Sequence, residues 1–266
     1  MRFDVELIPR HEITNSIDRV ALGEVDASVG VQLSERRDVD IYEEMVRNQE
    51  LALDLGPTGY ANSAGWFVAN GHLLHDPESC TYQDYWHTFT QVPALEKMLT
   101  ANEIGAGVND NGNLVCNPQD GGFCQNDDGK YFGRACNSDG FAIADITRPC
   151  RAILAHYPSY DYSVNEQLVN NLDGDGLEFG IVWLGWNATQ IITDRASRGE
   201  IFLFHHWHPS TILLQGNFTP VYLPTHNPAE WHTVSANTVR GPIASEFLPT
   251  MVQKLLNADI SDKFDE

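Results

Sequence analysis

Phe204-His205-His206-Trp207-His208-Pro209-Ser210 follows the short apolar run Ile201-Phe202-Leu203. The run reads as a buried strand, and Pro209 ends it and can open a helix. A Trp at the carboxyl end of a buried strand, beside a helix start, lies where open α/β sheets bind their ligands. An indole face there can hold a cation, and the free amides of the next helix can hold an anion. That pairing suits a zwitterion such as a betaine. The competing reading is a core aromatic with histidines at a strand end.

Outward from this stretch, strands and helices alternate. Phe179 to Leu184 reads as a strand and Asn187 to Ser197 as a helix. Ser163 caps a helix over Val164 to Leu172, with Gln167 nearby as a weak capping box. Downstream, Val221-Tyr222-Leu223-Pro224 is a short strand, and Ile243 to Asn257 has the spacing of an amphipathic helix before an acidic tail. Toward the N-terminus, Val5 to Ile8, Val25 to Leu33, Leu51 to Leu55 and Gly65-Trp66-Phe67-Val68 are strand-like. Ile13 to Leu22 reads as a helix closed by Gly23, and Asp40 caps Ile41 to Arg47. Residues 82 to 102 look helical in two pieces, with Pro93 in a first turn. The alternation points to an α/β fold with largely parallel sheets.

The composition excludes several classes of partner. The chain has 266 residues and a formal net charge of -21, from 16 Lys+Arg against 37 Asp+Glu. Such a surface repels nucleic acid and anionic membranes. With 42% hydrophobic residues it can bury a substantial core. No apolar run approaches the roughly 18 residues that span a bilayer, and Met1-Arg2-Phe3-Asp4-Val5 lacks the pattern of a signal peptide.

Five cysteines occur, at 80, 116, 124, 136 and 150. Three of them fall in a stretch at about 104–142 that is rich in Gly, Asn and Asp and reads as an insertion. Cross-linking holds such a loop where apolar burial cannot, and disulfides imply an oxidising, extracytoplasmic compartment. Zinc is the rival reading, but these cysteines lack the tight Cys-x2-4-Cys pairing of structural sites. At least one disulfide is expected among Cys116, Cys124 and Cys136, and a second between Cys80 and Cys150. The sequons Asn187-Ala188-Thr189 and Asn217-Phe218-Thr219 are permissive for a glycoprotein.

Several segments line up in a recognisable order. They are Gly23-Glu24-Val25-Asp26-Ala27, Asp54-Leu55-Gly56-Pro57-Thr58-Gly59-Tyr60, Gly65-Trp66-Phe67-Val68, the Asn187–Ser197 helix, and Trp207-His208-Pro209 before Val221-Tyr222-Leu223-Pro224. Together they resemble the glycine betaine/choline-type substrate-binding proteins of ABC transporters. The resemblance covers about residues 1–70 and 160–255 and is poor across the cysteine-rich insertion.

It implies a two-lobed, type II periplasmic-binding fold, with lobe 1 formed by 1–68 plus 208–266 and lobe 2 by 69–207. The family's first strand and helix have no counterpart upstream of Val5, so lobe 1 is expected to lack that unit. The resemblance also implies a non-enzymatic module for a quaternary ammonium compound, working with a transporter permease or a receptor membrane domain, with no cofactor. Its aromatic cage would draw on Trp207, Trp66 and Trp186, with Trp183 competing for the place of Trp186. The anion contacts would be His208, Ser210 and Thr211. A trimethylammonium group donates no hydrogen bond, so an aromatic face is its best desolvated partner, at roughly 0.5–2 kcal/mol per ring.

Two other chemistries compete. His206 and His208 would share one face of a strand, so a zinc-dependent hydrolase built on His205, His206 and His208 is the alternative. No His-Glu-x-x-His motif supports it. Asp173-Gly174-Asp175-Gly176 hints at calcium, but Glu178 falls too early for an EF-hand loop, and a turn is the better reading.

Overall fold

The structure is a computed structural model that describes residues 16–33, 36–75, 83–109, 111–116, 124, 129–136, 149–158, 163–174, 176–231 and 240–263. Its elements in chain order are α1 (Ser16–Ala21), β1 (Ala27–Gln32), α2 (Arg36–Tyr42), β2 (Ala52–Ala69), α3 (Val92–Leu95), β3 (Lys130–Phe132), β4 (Arg151–Ala155) and α4 (Val164–Asn171). There follow β5 (Phe179–Trp183), α5 (Ala188–Ser197), β6 (Phe202–His208), α6 (Thr211–Gln215), β7 (Phe218–Val221), α7 (Pro228–Trp231) and β8 (Thr250–Asn257). The fold is mixed α/β. The strand candidate Val5 to Ile8 lies outside the described residues.

Two compact units emerge, 1–61 with 250–266, and 62–249. The sequence reading placed its lobe divisions near 68 and 208. β2 runs from one unit into the other, where two short strands were expected. In the first unit, β8 pairs antiparallel with β1, Ala27 opposite Leu256, and the order is β1-β8-β2. Val31, Ala52 and Leu255 close a small core with Ile17 and Val20 of α1 and with Tyr42. β8 corrects the helix expected over Ile243 to Asn257. Val252 and Leu255 are spaced like a helix face, but pairing with strands on both sides outweighs that local preference.

In the second unit the order is β2-β6-β4-β5-β3, with β7 also on β2. β4 is parallel to both β5 and β6, while β2/β6, β2/β7 and β3/β5 are antiparallel. The sheet is therefore mixed rather than largely parallel. Its three-strand parallel centre is buried on both faces, which is why Phe179-Gly180-Ile181-Val182-Trp183 and Phe202-Leu203-Phe204 read as unbroken apolar runs. One face packs Trp66, Val68, Ile153, Ile181, Trp183 and Leu203 with Leu168 and Val169 of α4. The other packs Phe67, Leu154, Val182, Phe202 and Phe204 with Ala188 and Ile192 of α5.

The segment 82–102 forms a 3-10 turn at Trp86–Thr90, then α3 with Pro93 in its first turn, and a further 3-10 turn at Ala101–Glu103. Ser163 precedes α4 at φ 74° without a side-chain cap bond. Disulfides join Cys116 to Cys124 and Cys136 to Cys150, with Cα separations of 5.8 and 5.6 Å. The first is one of the three pairings open among Cys116, Cys124 and Cys136, where at least one disulfide was expected. The second corrects the Cys80–Cys150 link, and Cys80 lies outside the described residues. The physical reason is the sheet: β3 and β4 both flank β5, so the turn after β3 and the residue before β4 meet there. Among the described residues, no helix is long and apolar enough to cross a membrane.

Candidate functional site

β6, β4 and β5 point the same way, and their carboxyl ends form one edge of the second unit. Leu154 lies opposite Phe204, and Ala155 opposite Trp183, so β4 and β5 end level while β6 runs on to His208. The ladder continues past β4: Leu184 N donates to Ala155 O at 2.9 Å, and Gly185 N to His156 O at 2.8 Å. Gly185 holds φ +64°, and a Cβ there would meet Val115 at 2.7 Å and the Tyr157 hydroxyl at 3.2 Å. Glycine thus lets the chain turn tightly beneath Tyr157 and present Trp186 outward, 44% exposed. Tyr157 and Trp186 meet edge to face with centroids 5.2 Å apart.

On the β6 side, Trp207 is half-buried. Successive strand residues ordinarily point to opposite faces. At this strand end, however, the His206 and Trp207 rings stack 4.4 Å apart at an interplanar angle of 22°. His156 lies 5.2 Å from His206 and 5.0 Å from Trp207. Two hydroxyls flank the imidazoles: Ser210 Oγ is 2.8 Å from His206 Nε2, and Thr189 Oγ1 is 3.3 Å from His156 Nε2.

Burial sets the charge state of this edge. It pushes the imidazole of His156 down to about 3, with repulsion from His206 adding to it. His206 is lowered to about 4 by burial. His205 falls to about 3 by burial, then by repulsion from His156 and His206. All three rings are neutral at pH 7. They can stack beside a cation without repelling it.

The expected site residues divide by position. Trp207, His208, Ser210 and Thr211 lie together at the carboxyl end of β6 and the start of α6, with His208 and Thr211 exposed. Trp186 lies at the same edge, two strands away beyond β4. Trp66 is 1% exposed in the core, and its indole Nε1 donates to Asn165 Oδ1 at 2.6 Å. Trp183, the competitor of Trp186, is as buried as Trp66, and its Nε1 has no hydrogen-bond partner among the described residues. Trp66 lies opposite His205, and the row continues through Ala155 to Trp183 on one buried face.

The zinc alternative fails on direction. His205 packs on Phe247, on the sheet face opposite that of His206 and His208, so the three histidines do not converge. Among the described residues, no group of three or more His, Cys, Asp or Glu side chains is arranged to hold a metal ion. Asp173 and Gly174 form a turn with φ of 61° and 68°, whose Gly174 carbonyl accepts from Arg134. Asp175 lies outside the described residues. Sequence reasoning missed His156 and Tyr157 because it passed over β4, and with them the role of Thr189, whose helix was read but whose partner His156 was not. The signal was present in Ile153-Leu154-Ala155, a short apolar run ending at His156-Tyr157-Pro158.

No family model matches the chain, and no curated protein is significantly similar to it. Among solved structures, the chain is similar to the glycine betaine/L-proline-binding protein ProX of an ABC transporter from Borrelia burgdorferi. The identity is 14% and the TM-score 0.44, over 95% of this chain and 65% of that one. It is also similar to lactococcal OpuAC in complex with glycine betaine, at 10% identity and TM-score 0.44, over 94% of this chain and 65% of that one. A third is an ABC-transporter choline-binding protein in complex with choline, at 12% and 0.43, over 93% and 60%. The chain spans only 60 to 65% of the length of these structures. At such identity no residue's role is carried across from them.

Proposed function

We propose that the chain is an extracytoplasmic, non-enzymatic solute-binding module for a quaternary ammonium compound, acting with a membrane partner in transport or sensing. The observation that carries this reading is the aromatic edge itself. The ring of Trp207 at the end of β6 and the pair Tyr157/Trp186 after β4 and β5 flank imidazoles that burial keeps neutral. An alkylammonium head takes such a surface better than an inorganic cation does, because it needs aromatic faces and no coordinating oxygens. His208 and Thr211, exposed beside Trp207, would meet an anionic end. Trp66 supports the core behind His205. The two disulfides fit an oxidising compartment.

Titration calorimetry with glycine betaine, choline, carnitine and proline betaine tests the reading. At least one should bind, and Trp207→Ala should weaken it by roughly 3- to 30-fold, the value of one cation–π contact. Trp207→Phe should keep part of the affinity. Unchanged affinity in Trp207→Ala would remove this edge from the site.

A further inference from the structure

We infer that Ser210 is a positioning residue for Trp207, acting through His206, and not a contact for the ligand's anionic end. The inference rests on the quaternary ammonium reading for its ligand, and on the ring and hydroxyl geometry for its mechanism. Ser210 Oγ is 2.8 Å from His206 Nε2. The imidazole it holds is 2% exposed and lies flat against the indole of Trp207, with centroids 4.4 Å apart. The opposite ring nitrogen, Nδ1, is buried without a hydrogen-bond partner among the described residues. Among the described residues, the Ser210 hydrogen bond is therefore what distinguishes the two orientations of this ring.

A neutral imidazole carries one proton, and its other nitrogen accepts. With Ser210 present, the ring has a single orientation that satisfies Nε2. Without it, the ring can rotate by half a turn at little cost, and the surface against which Trp207 is stacked loses its definition. His156 stacks 5.2 Å beyond His206 and is itself within 3.3 Å of the Thr189 hydroxyl, so the rings are anchored by a hydroxyl at each end. Because the Ser210 hydroxyl is engaged inward, recognition at this point runs through the indole face. The ligand's head group decides affinity here, and its carboxylate does not.

The test pairs two probes that share the head group. Glycine betaine carries a carboxylate and tetramethylammonium carries none. Calorimetry on wild type, Ser210→Ala and Ser210→Thr should show Ser210→Ala weakening both probes by the same factor, roughly two- to tenfold for one hydrogen bond. Ser210→Thr, which keeps the hydroxyl, should restore both. Weakening of glycine betaine alone would make Ser210 a carboxylate contact and overturn the inference, as would no change for either probe.

A second readout needs no ligand. Nitrogen-15 spectra of labelled histidine at pH 7, with His206 assigned from His206→Gln, should show the same hydrogen-bonded Nε2 shift in wild type and Ser210→Thr, and a displaced Nε2 shift in Ser210→Ala. If wild type binds neither probe, the quaternary ammonium reading fails while these spectra still decide the role of Ser210. An unchanged His206 Nε2 shift in Ser210→Ala would then overturn it.

Discussion

Acid should destabilise this protein well above the range where its carboxylates titrate, and His205→Leu should remove a third of the effect. His156, His205 and His206 are held neutral, with imidazoles lowered from 6.5 to about 3, 3 and 4. In the unfolded chain each takes up a proton as pH falls through about 6.5, whereas the folded protein does not follow until near pH 4 or below. Stability contributed by the neutral form is therefore complete above pH 6.5 and declines as pH drops toward the folded values. At pH 5 each ring lies 1.5 units below its unfolded value. At 1.36 kcal/mol per unit this costs about 2 kcal/mol per histidine, or about 6 kcal/mol for the three. The result at pH 5 depends little on where below 5 the folded values fall.

A domain holds only about 5–15 kcal/mol in total, so the second unit should approach unfolding near pH 5. Glu103, Glu200 and Glu230 are held below 4.5 and contribute only at lower pH. Relief of self-repulsion as the net charge falls from -21 affects wild type and variant alike. His205 is fully buried against Phe247 with its Nε2 unpartnered, so leucine fits the environment and should cost little at pH 7. Urea unfolding at pH 7 and pH 5 should show about 2 kcal/mol less pH dependence in His205→Leu than in wild type. Equal pH dependence in the two proteins would refute the assignment of a neutral, buried His205.

Other expectations concern stability and covalent structure. Trp66→Phe should cost about 2–4 kcal/mol in urea unfolding, because it shrinks a core ring and removes the indole hydrogen bond to Asn165 Oδ1. Replacing both Cys136 and Cys150 by alanine opens a loop with a sequence separation of 14 and should cost about 3 kcal/mol. Peptide mapping without reduction should recover Cys116 linked to Cys124 and Cys136 linked to Cys150. Gly185→Ala forces a side chain into φ +64° and against Val115 at 2.7 Å. It should lower stability by about 1 kcal/mol or more and shift the fluorescence of the exposed Trp186; an unchanged spectrum would mean that the turn does not orient that ring.

How far the sequence could be read depended on where each residue's environment comes from. β5, α5 and β6 were legible because a strand buried on both faces needs a continuous apolar run, and that requirement is local. β2 was split in two because Gly56-Pro57-Thr58-Gly59 has the composition of a turn. The strand passes through it with glycines at φ +81° and +98°, and Thr58 Oγ1 bonds to Val252 O at 3.0 Å. β8 was taken for a helix because its pairing partners lie some 200 residues upstream. The site separates in the same way. That Trp207 ends a strand is a property of its neighbours in sequence. Whether Trp66, Trp183 or Trp186 reaches solvent is not, since all three sit in or just after apolar strands. Cover decides: Asn165 of α4 takes the indole of Trp66, while the left-handed turn at Gly185 carries Trp186 one step past the end of β5. His156 belongs with His206 only because β4 lies between β6 and β5, a register that no local pattern states. A search for this edge in sequence should therefore start from three short apolar runs that end in aromatic or histidine residues. Tryptophan spacing alone selects the core as readily as the surface.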